Sequence, residues 1–167
     1  MVEAARGQAN SMVSGTDSDM EHEPEVTGGT GGRRPRWLVD GMNLIGSRPD
    51  RWWNDPDRAV RRLIDELDRF AAATGDEVTV VFDRRPADVP QGRHGAVEVA
   101  FASRRGRNAA DDEIVAMVAG DPDPAGERVV TSDRRLAERA RDLGARVVPT
   151  SRFRRRVDQA LTTDPYR

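Results

Sequence analysis

Short unbroken apolar runs alternate with stretches in which apolar residues recur every three or four positions, and this alternation begins only after residue 34. Trp37, Leu38 and Val39 run straight into Asp40 and Gly41, the pattern of a short buried strand ending in a turn. A loop from Gly46 to Asn54 leads to Asp55 and Pro56, an N-cap followed by a residue suited to the first helical position. Val60, Leu63, Ile64, Leu67, Phe70 and Ala71 line one face of the helix this opens, and Gly75 closes it. Trp52 and Trp53, just ahead of that helix, read as packing pieces rather than base-stacking platforms.

The same grammar repeats downstream. Val78 to Phe82 forms a second strand ending in Asp83, and a loop with Pro86, Pro90, Gly92 and Gly95 leads to a third, Val97 to Phe101. A basic loop, S-R-R-G-R-N, ends in Asn108, a candidate N-cap. The helix it opens carries Asp111 and Asp112 in or beside its first turn, where carboxylates meet the helix dipole favourably. After a Pro-containing turn from Asp121 to Gly126, Arg128 to Thr131 is a strand that ends in Asp133. Arg134 to Leu143 is a helix stopped by Gly144, Ala145 to Val148 a last strand, and Thr150 or Ser151 caps a closing helix to about Leu161. Strands alternating with helices predict an α/β fold, a three-layer sandwich whose mostly parallel sheet of about five strands has helices on both faces.

Composition sets the limits of that domain. Residues 1–34 are polar, rich in Gly, Ser and Thr and almost free of large apolar side chains, so they are expected to be a disordered tail ahead of a domain spanning 35–167. The run G-G-T-G-G-R-R lacks a Gly-Lys-Ser/Thr ending and precedes a strand, so it is not a phosphate loop. No apolar run approaches the roughly 18 residues of a membrane span, and the first residues lack a secretory pattern. The chain has no Cys, which excludes disulfides and thiolate chemistry and makes a reducing cytoplasm the simplest setting. All 27 basic residues are Arg, a bias of a GC-rich genome. The net charge of -2 conceals an asymmetry: six acids but only Arg6 and Arg33 fall in residues 1–33, so the rest is slightly basic and permits a nucleic-acid partner.

Three strands therefore end in Asp: Asp40, Asp83 and Asp133. The helix carrying Asp111 and Asp112 must lie over the same edge. If these converge they repel, by about 4 kcal/mol for two carboxylates about 4 Å apart at an effective dielectric of about 20. Either a shared proton or a bound cation must offset that. With no Cys, only His22 and His94, and several hard oxygen donors, the expected ion is Mg²⁺ or Mn²⁺, and the chemistry that follows is phosphodiester hydrolysis. His94 sits in a Gly-flanked loop without a partner, so it reads as a solvated residue. Ser132 adjoins Asp133 but has no candidate imidazole, so it is a turn hydroxyl and a candidate substrate contact. Arg104, Arg105, Arg107 and Arg134 would ring the pocket and draw a polyanion toward it. Arg152, Arg154, Arg155 and Arg156 read as a charged helix face.

Four ordered motifs carry a resemblance: V-D-G-M-N-L-I at 39–45, V-V-F-D at 80–83, N-A-A-D-D-E-I at 108–114 and V-V-T-S-D at 129–133. From about Trp37 to Asp158 the chain resembles the YacP-like ribonucleases of the NYN domain family, within the PIN-like nuclease superfamily. The resemblance implies a PIN-like parallel sheet between helices, with acidic residues holding Mg²⁺ or Mn²⁺ at one end. Carried across by motif, Asp40 is the first-strand metal ligand, Asp83 closes the second strand, Asp111 is the helix carboxylate with Asp112 sharing its role, and Asp133 follows the fourth strand. Asn43 is similar to the Asn near the scissile phosphate, and Met42 stands where such sequences commonly have Tyr.

The resulting expectation is a metal-dependent ribonuclease with RNA as its partner. It needs no organic cofactor and no membrane, and it admits a homodimer. A different class, a non-catalytic RNA-binding module of the same fold, remains open. A phosphatase of the haloacid dehalogenase kind is disfavoured, because no Asp follows two residues after Asp40 and no Lys exists to support it.

Overall fold

The computed structural model describes residues 33–163, so almost all of the expected disordered tail lies outside the described residues. In chain order the elements are β1 (Arg36–Asp40), α1 (Gly41–Gly46), α2 (Pro56–Thr74), β2 (Glu77–Phe82), β3 (Gly92–His94), β4 (Val97–Phe101), α3 (Ala109–Gly120), β5 (Glu127–Val130), α4 (Arg134–Asp142), β6 (Arg146–Val148) and α5 (Thr150–Thr162). The strands form one sheet in the order β3-β4-β2-β1-β5-β6. All neighbours are parallel except β3, which runs antiparallel to β4 at the edge.

The apolar runs of the strands are buried on both faces, as a parallel sheet between helices requires. Successive side chains point to opposite faces, so Trp37 and Val39 pack with α1, α2 and α5, while Leu38 packs with α3 and α4. Helix α2 starts and stops as its sequence dictates. Asp55 accepts the Arg58 N–H at 3.0 Å, Pro56 occupies the first turn, and Gly75 closes the helix in the left-handed region at φ +73°.

Four local readings differ from this structure. The sheet has six strands because Gly92–His94, expected as loop, pairs with β4. Residues 41–46, expected to be turn and loop, form α1. Asn108 stands at the N-cap position of α3 but in a left-handed conformation, and its side chain makes no capping bond. Pro149, rather than Thr150 or Ser151, is the N-cap of α5.

The arginine run on α5 is not a uniform charged face. Arg154 reaches the buried Glu66 of α2 at 3.1 Å and the Leu44 carbonyl at 2.9 Å, and Arg48 approaches the same carboxylate at 2.6 Å. Arg156 pairs with Asp76 at 3.0 Å, and Asp76 also accepts the Trp37 indole N–H at 2.8 Å. These partners tie α5 to α1 and α2, and truncating Glu66 would leave the part-buried Arg154 without its carboxylate.

At the opposite, amino-terminal edge of the sheet, Arg36 bridges Asp121 and Glu127. Burial, and a hydrogen bond with Asp121, push the Glu127 carboxyl up to about 7 against the pull of Arg36. A carboxyl raised on folding binds its proton more tightly in the folded state, so stability declines as pH rises through that value. Thermal melts should show a melting temperature that falls between about pH 5 and about pH 8, with Glu127→Gln flattening the upper part of the decline. A melting temperature that climbed over this range would contradict that assignment.

Candidate active site

Strands β1 and β5 lie side by side, yet the helices that follow them leave to opposite faces, α1 and α2 to one and α4 to the other. Such a switch opens a crevice at the carboxyl ends of the strands. Val39 pairs with Val130, which sets Asp40 beside Thr131 across that crevice.

Asp40 is the last residue of β1 and only 5% exposed. One carboxylate oxygen accepts the Asn43 N–H at 3.3 Å and so caps α1; the other accepts the Thr131 hydroxyl at 3.1 Å. Burial pushes its carboxyl up to about 6, the Asn43 and Thr131 bonds pull it down, and the charges of Asp111 and Asp83 add to the rise. A carboxylate so placed gains from either a proton or a cation.

Thr131 carried no role in the sequence reading. It is 1% exposed, and its hydroxyl also accepts the Asp133 N–H at 3.1 Å, so a single side chain positions two of the strand-end aspartates. The signal was present in V-V-T, where a hydroxyl continues an apolar strand into the acidic edge.

Asp133 caps α4 by accepting the Leu136 N–H at 2.9 Å, and its charge reaches Asp111. Asp111, in the first turn of α3, has its carboxyl raised by burial first and by Asp133 second, while Arg139 and Arg135 oppose the rise. Its neighbour Asp112 is exposed and pairs with Arg139 of α4 at 2.9 Å. The two adjacent carboxylates therefore have different work: Asp111 shares the field of Asp40 and Asp133, whereas Asp112 joins α3 to α4. Asp83 lies exposed just past β2.

Asn43 bridges α1 to the loop after β5, its Oδ1 accepting the Ser132 N–H at 2.8 Å. A backbone N–H can only meet an oxygen, so this contact fixes the amide orientation and leaves its NH₂ as a donor. The Ser132 hydroxyl lies 2.7 Å from that of Thr150 and accepts the Thr150 N–H at 3.1 Å, which secures the start of α5. Arg104, Arg105 and Arg107 are exposed in the loop between β4 and α3, and Arg134 is exposed at the start of α4. His94 Nε2 donates to the Pro90 carbonyl at 2.7 Å on the outer strand β3. Met42 is half-buried against the core.

Among the described residues, no three acidic or histidine side chains are grouped so as to hold a metal ion between them. The donor set still suits one kind of ion. Every nearby ligand is a hard oxygen, and Mg²⁺ commonly takes only one or two carboxylates, filling its other positions with water and substrate phosphate. No helix among the described residues is long and apolar enough to cross a membrane.

Comparison with known proteins agrees with this architecture. Two solved structures of Rae1 (YacP) from Bacillus subtilis resemble the chain. A single-substitution mutant is 28% identical with a TM-score of 0.62, the match covering 76% of this chain and 77% of that one. The other structure is 27% identical with a TM-score of 0.60, covering 75% of each. No curated protein matches the chain. A family model described as the YacP-like NYN domain matches residues 37–163. On that match, over an α/β sheet with aspartates at the ends of its strands, the chain belongs to the YacP-like NYN domain family, a branch of the PIN-like nucleases.

Proposed function

We propose that the chain is a divalent-metal-dependent ribonuclease that hydrolyses RNA phosphodiester bonds in the crevice between β1 and β5. The observation that carries this reading is the buried Asp40, which has hydrogen-bond donors but no cation paired with it among the described residues, within the fields of Asp111 and Asp83 at a topological switch point. Asp40 and Asp111 would hold Mg²⁺ or Mn²⁺, with Asp83 and Asp133 assisting, while Asp112, the fifth carboxylate expected from the sequence, stays paired with Arg139. A cation bound there would supply Lewis acidity, easing deprotonation of water and neutralising charge at the phosphate.

The remaining work belongs to the chain's own side chains. The Asn43 amide NH₂, oriented by Ser132, donates to a phosphate oxygen and positions the bond for attack. Arg104, Arg105, Arg107 and Arg134 attract the RNA backbone, and Ser132 holds the loop that carries Asp133. Water adds to phosphorus as the P–O bond to the leaving ribose oxygen breaks, and the proton the water gives up ends on that oxygen, so the products are a phosphate monoester and a free hydroxyl. The absence of Cys suits work in the cytoplasm.

Purified protein should cleave RNA when Mn²⁺ or Mg²⁺ is added and stop when a chelator is in excess. Undiminished cleavage in chelator would refute metal dependence. The alternative, a non-catalytic RNA-binding module, draws on the lack of a three-residue metal cluster among the described residues. RNA binding that is indifferent to chelator, with no cleavage under any metal, selects that reading.

A further inference from the structure

A groove of about 560 Å³ opens between the end of α1, the start of α2 and the first turns of α5, and nothing in the proposed chemistry uses it. Its walls include Arg48, Arg51, Trp52, Arg58, Arg62 and Arg154, over an apolar floor from Ile45, Ala59 and Leu63. Three carboxylates line it too, but each is already engaged. Asp50 meets Arg62 at 3.4 Å, Asp55 caps α2, and Glu66 lies between Arg48 and Arg154.

Arg51 and Arg58 are the cations left over: neither side chain has an ion pair among the described residues. Arg51 also stands in the left-handed region, at φ 55° and ψ 35°. Glycine would adopt that conformation without steric cost, so an arginine there is a strained choice that keeps a guanidinium at the rim. Deeper in the wall, the Arg154 Nε is buried with no hydrogen-bond partner among the described residues. An unmet donor of this kind calls for an acceptor.

The aromatic wall narrows the class of ligand. Trp52 is half-buried and packed on the core, edge-on to the 59% exposed Trp53 at 6.3 Å and 78°. Guanidinium groups beside a fixed indole, in a groove of this size, match a nucleotide: phosphate on the arginines and base against the ring. Location narrows it further. Helix α1 begins just after Asp40 and ends beside the groove; its six residues span about 9 Å. A strand of RNA lying in the crevice has to travel only that far.

We propose that this groove is a second subsite for the substrate RNA, holding a nucleotide beside the one being cut, with Arg51 and Arg58 on its phosphate and Trp52 against its base. It rests on the ribonuclease reading for the identity of the substrate, but its test does not depend on catalysis.

The test is binding of a labelled single-stranded RNA of about eight nucleotides to the full chain in excess chelator, followed by anisotropy across a salt series. The double variant Arg51→Gly, Arg58→Gln removes both cations while suiting the left-handed backbone at position 51. It should weaken binding about tenfold and lower the salt slope by about 1.4, the value for two phosphate contacts on a single strand. Arg155→Ala, an exposed arginine of α5 outside the groove, serves as control and should change neither. The tryptophan quenching that accompanies RNA binding should shrink in Trp52→Phe.

Wild-type affinity and slope in the double variant would overturn the proposal. So would adenosine monophosphate binding as tightly as the RNA, since that makes the groove a site for a free nucleotide. The two readings fail separately. Metal-dependent cleavage with unchanged binding in the double variant removes the subsite alone, and weakened binding without any cleavage removes catalysis alone.

Discussion

Asp40→Asn should lower RNA cleavage by at least about 10²-fold, the scale expected when a preorganised electrostatic group is lost, and at the same time make the fold more stable. The second half of that result follows from burial. Asp40 is held among the charges of Asp111 and Asp83, and its carboxyl is pushed up to about 6 from an ordinary value of 3.8. Above that pH the folded state holds an unfavourable charge that the unfolded chain hydrates freely. Asparagine removes the charge and keeps an oxygen for the Asn43 N–H, although its NH₂ is a poorer match for the Thr131 hydroxyl. The net gain is about 1–2 kcal/mol at about pH 8, and it fades as pH falls, because the wild-type carboxyl takes up its proton through about pH 6. Melts of both proteins at about pH 5 and about pH 8 in metal-free buffer, with cleavage assays alongside, check both halves. Wild-type cleavage by Asp40→Asn would end the catalytic reading, and an equal or lower melting temperature at high pH would end the electrostatic one.

Gly41→Ala should destabilise the domain by about 2–3 kcal/mol, although Ala is the better helix former at an ordinary helical position. A Cβ at Gly41 would overlap Phe82 Cε1 and lie 2.5 Å from Phe82 Cδ1 and 3.0 Å from the Val81 carbonyl oxygen. Phe82 cannot swing aside, since it is fully buried with its ring 6.0 Å from that of Phe101. The start of α1 must therefore move, carrying Asp40 and Asn43 with it, so cleavage falls together with stability. The melting temperature should drop by about 10 °C. Replacing Phe82 by Leu in the same chain should return part of the loss, a coupling that a double-mutant cycle measures. If the two changes added independently, the close approach would not be the cause.

Chain-local features were legible in the sequence. The period of apolar residues, with Asp55, Pro56 and Gly75 at its ends, specifies α2 because each of those residues acts within its own turn. The apolar runs ending at Asp40, at Asp83 and just before Asp133 place three carboxylates at one edge, because parallel strands all finish on the same side. Segments whose shape depends on a neighbour were not legible. Strand β3 has three residues and no alternation of its own, and its conformation comes from pairing with β4. Helix α1 has only six residues, and M-N-L-I reads as easily as turn and loop.

For the site, the chain by itself determined at which end of the sheet the strand-end carboxylates lie, since strand direction suffices for that. Only the tertiary structure decided how they divide the work. Asp111 and Asp112 are adjacent in sequence, yet Arg139 of α4, 27 positions after Asp112, pairs with the latter alone. Thr131 gains its role from Asp40, 91 positions earlier, and Arg154 is internal because Glu66 faces it across 88 positions. Burial, which raises the Asp40 carboxyl and leaves Arg154 Nε without a partner among the described residues, arises only when separate elements close over a side chain. A one-dimensional pattern of polar and apolar residues does not carry that information.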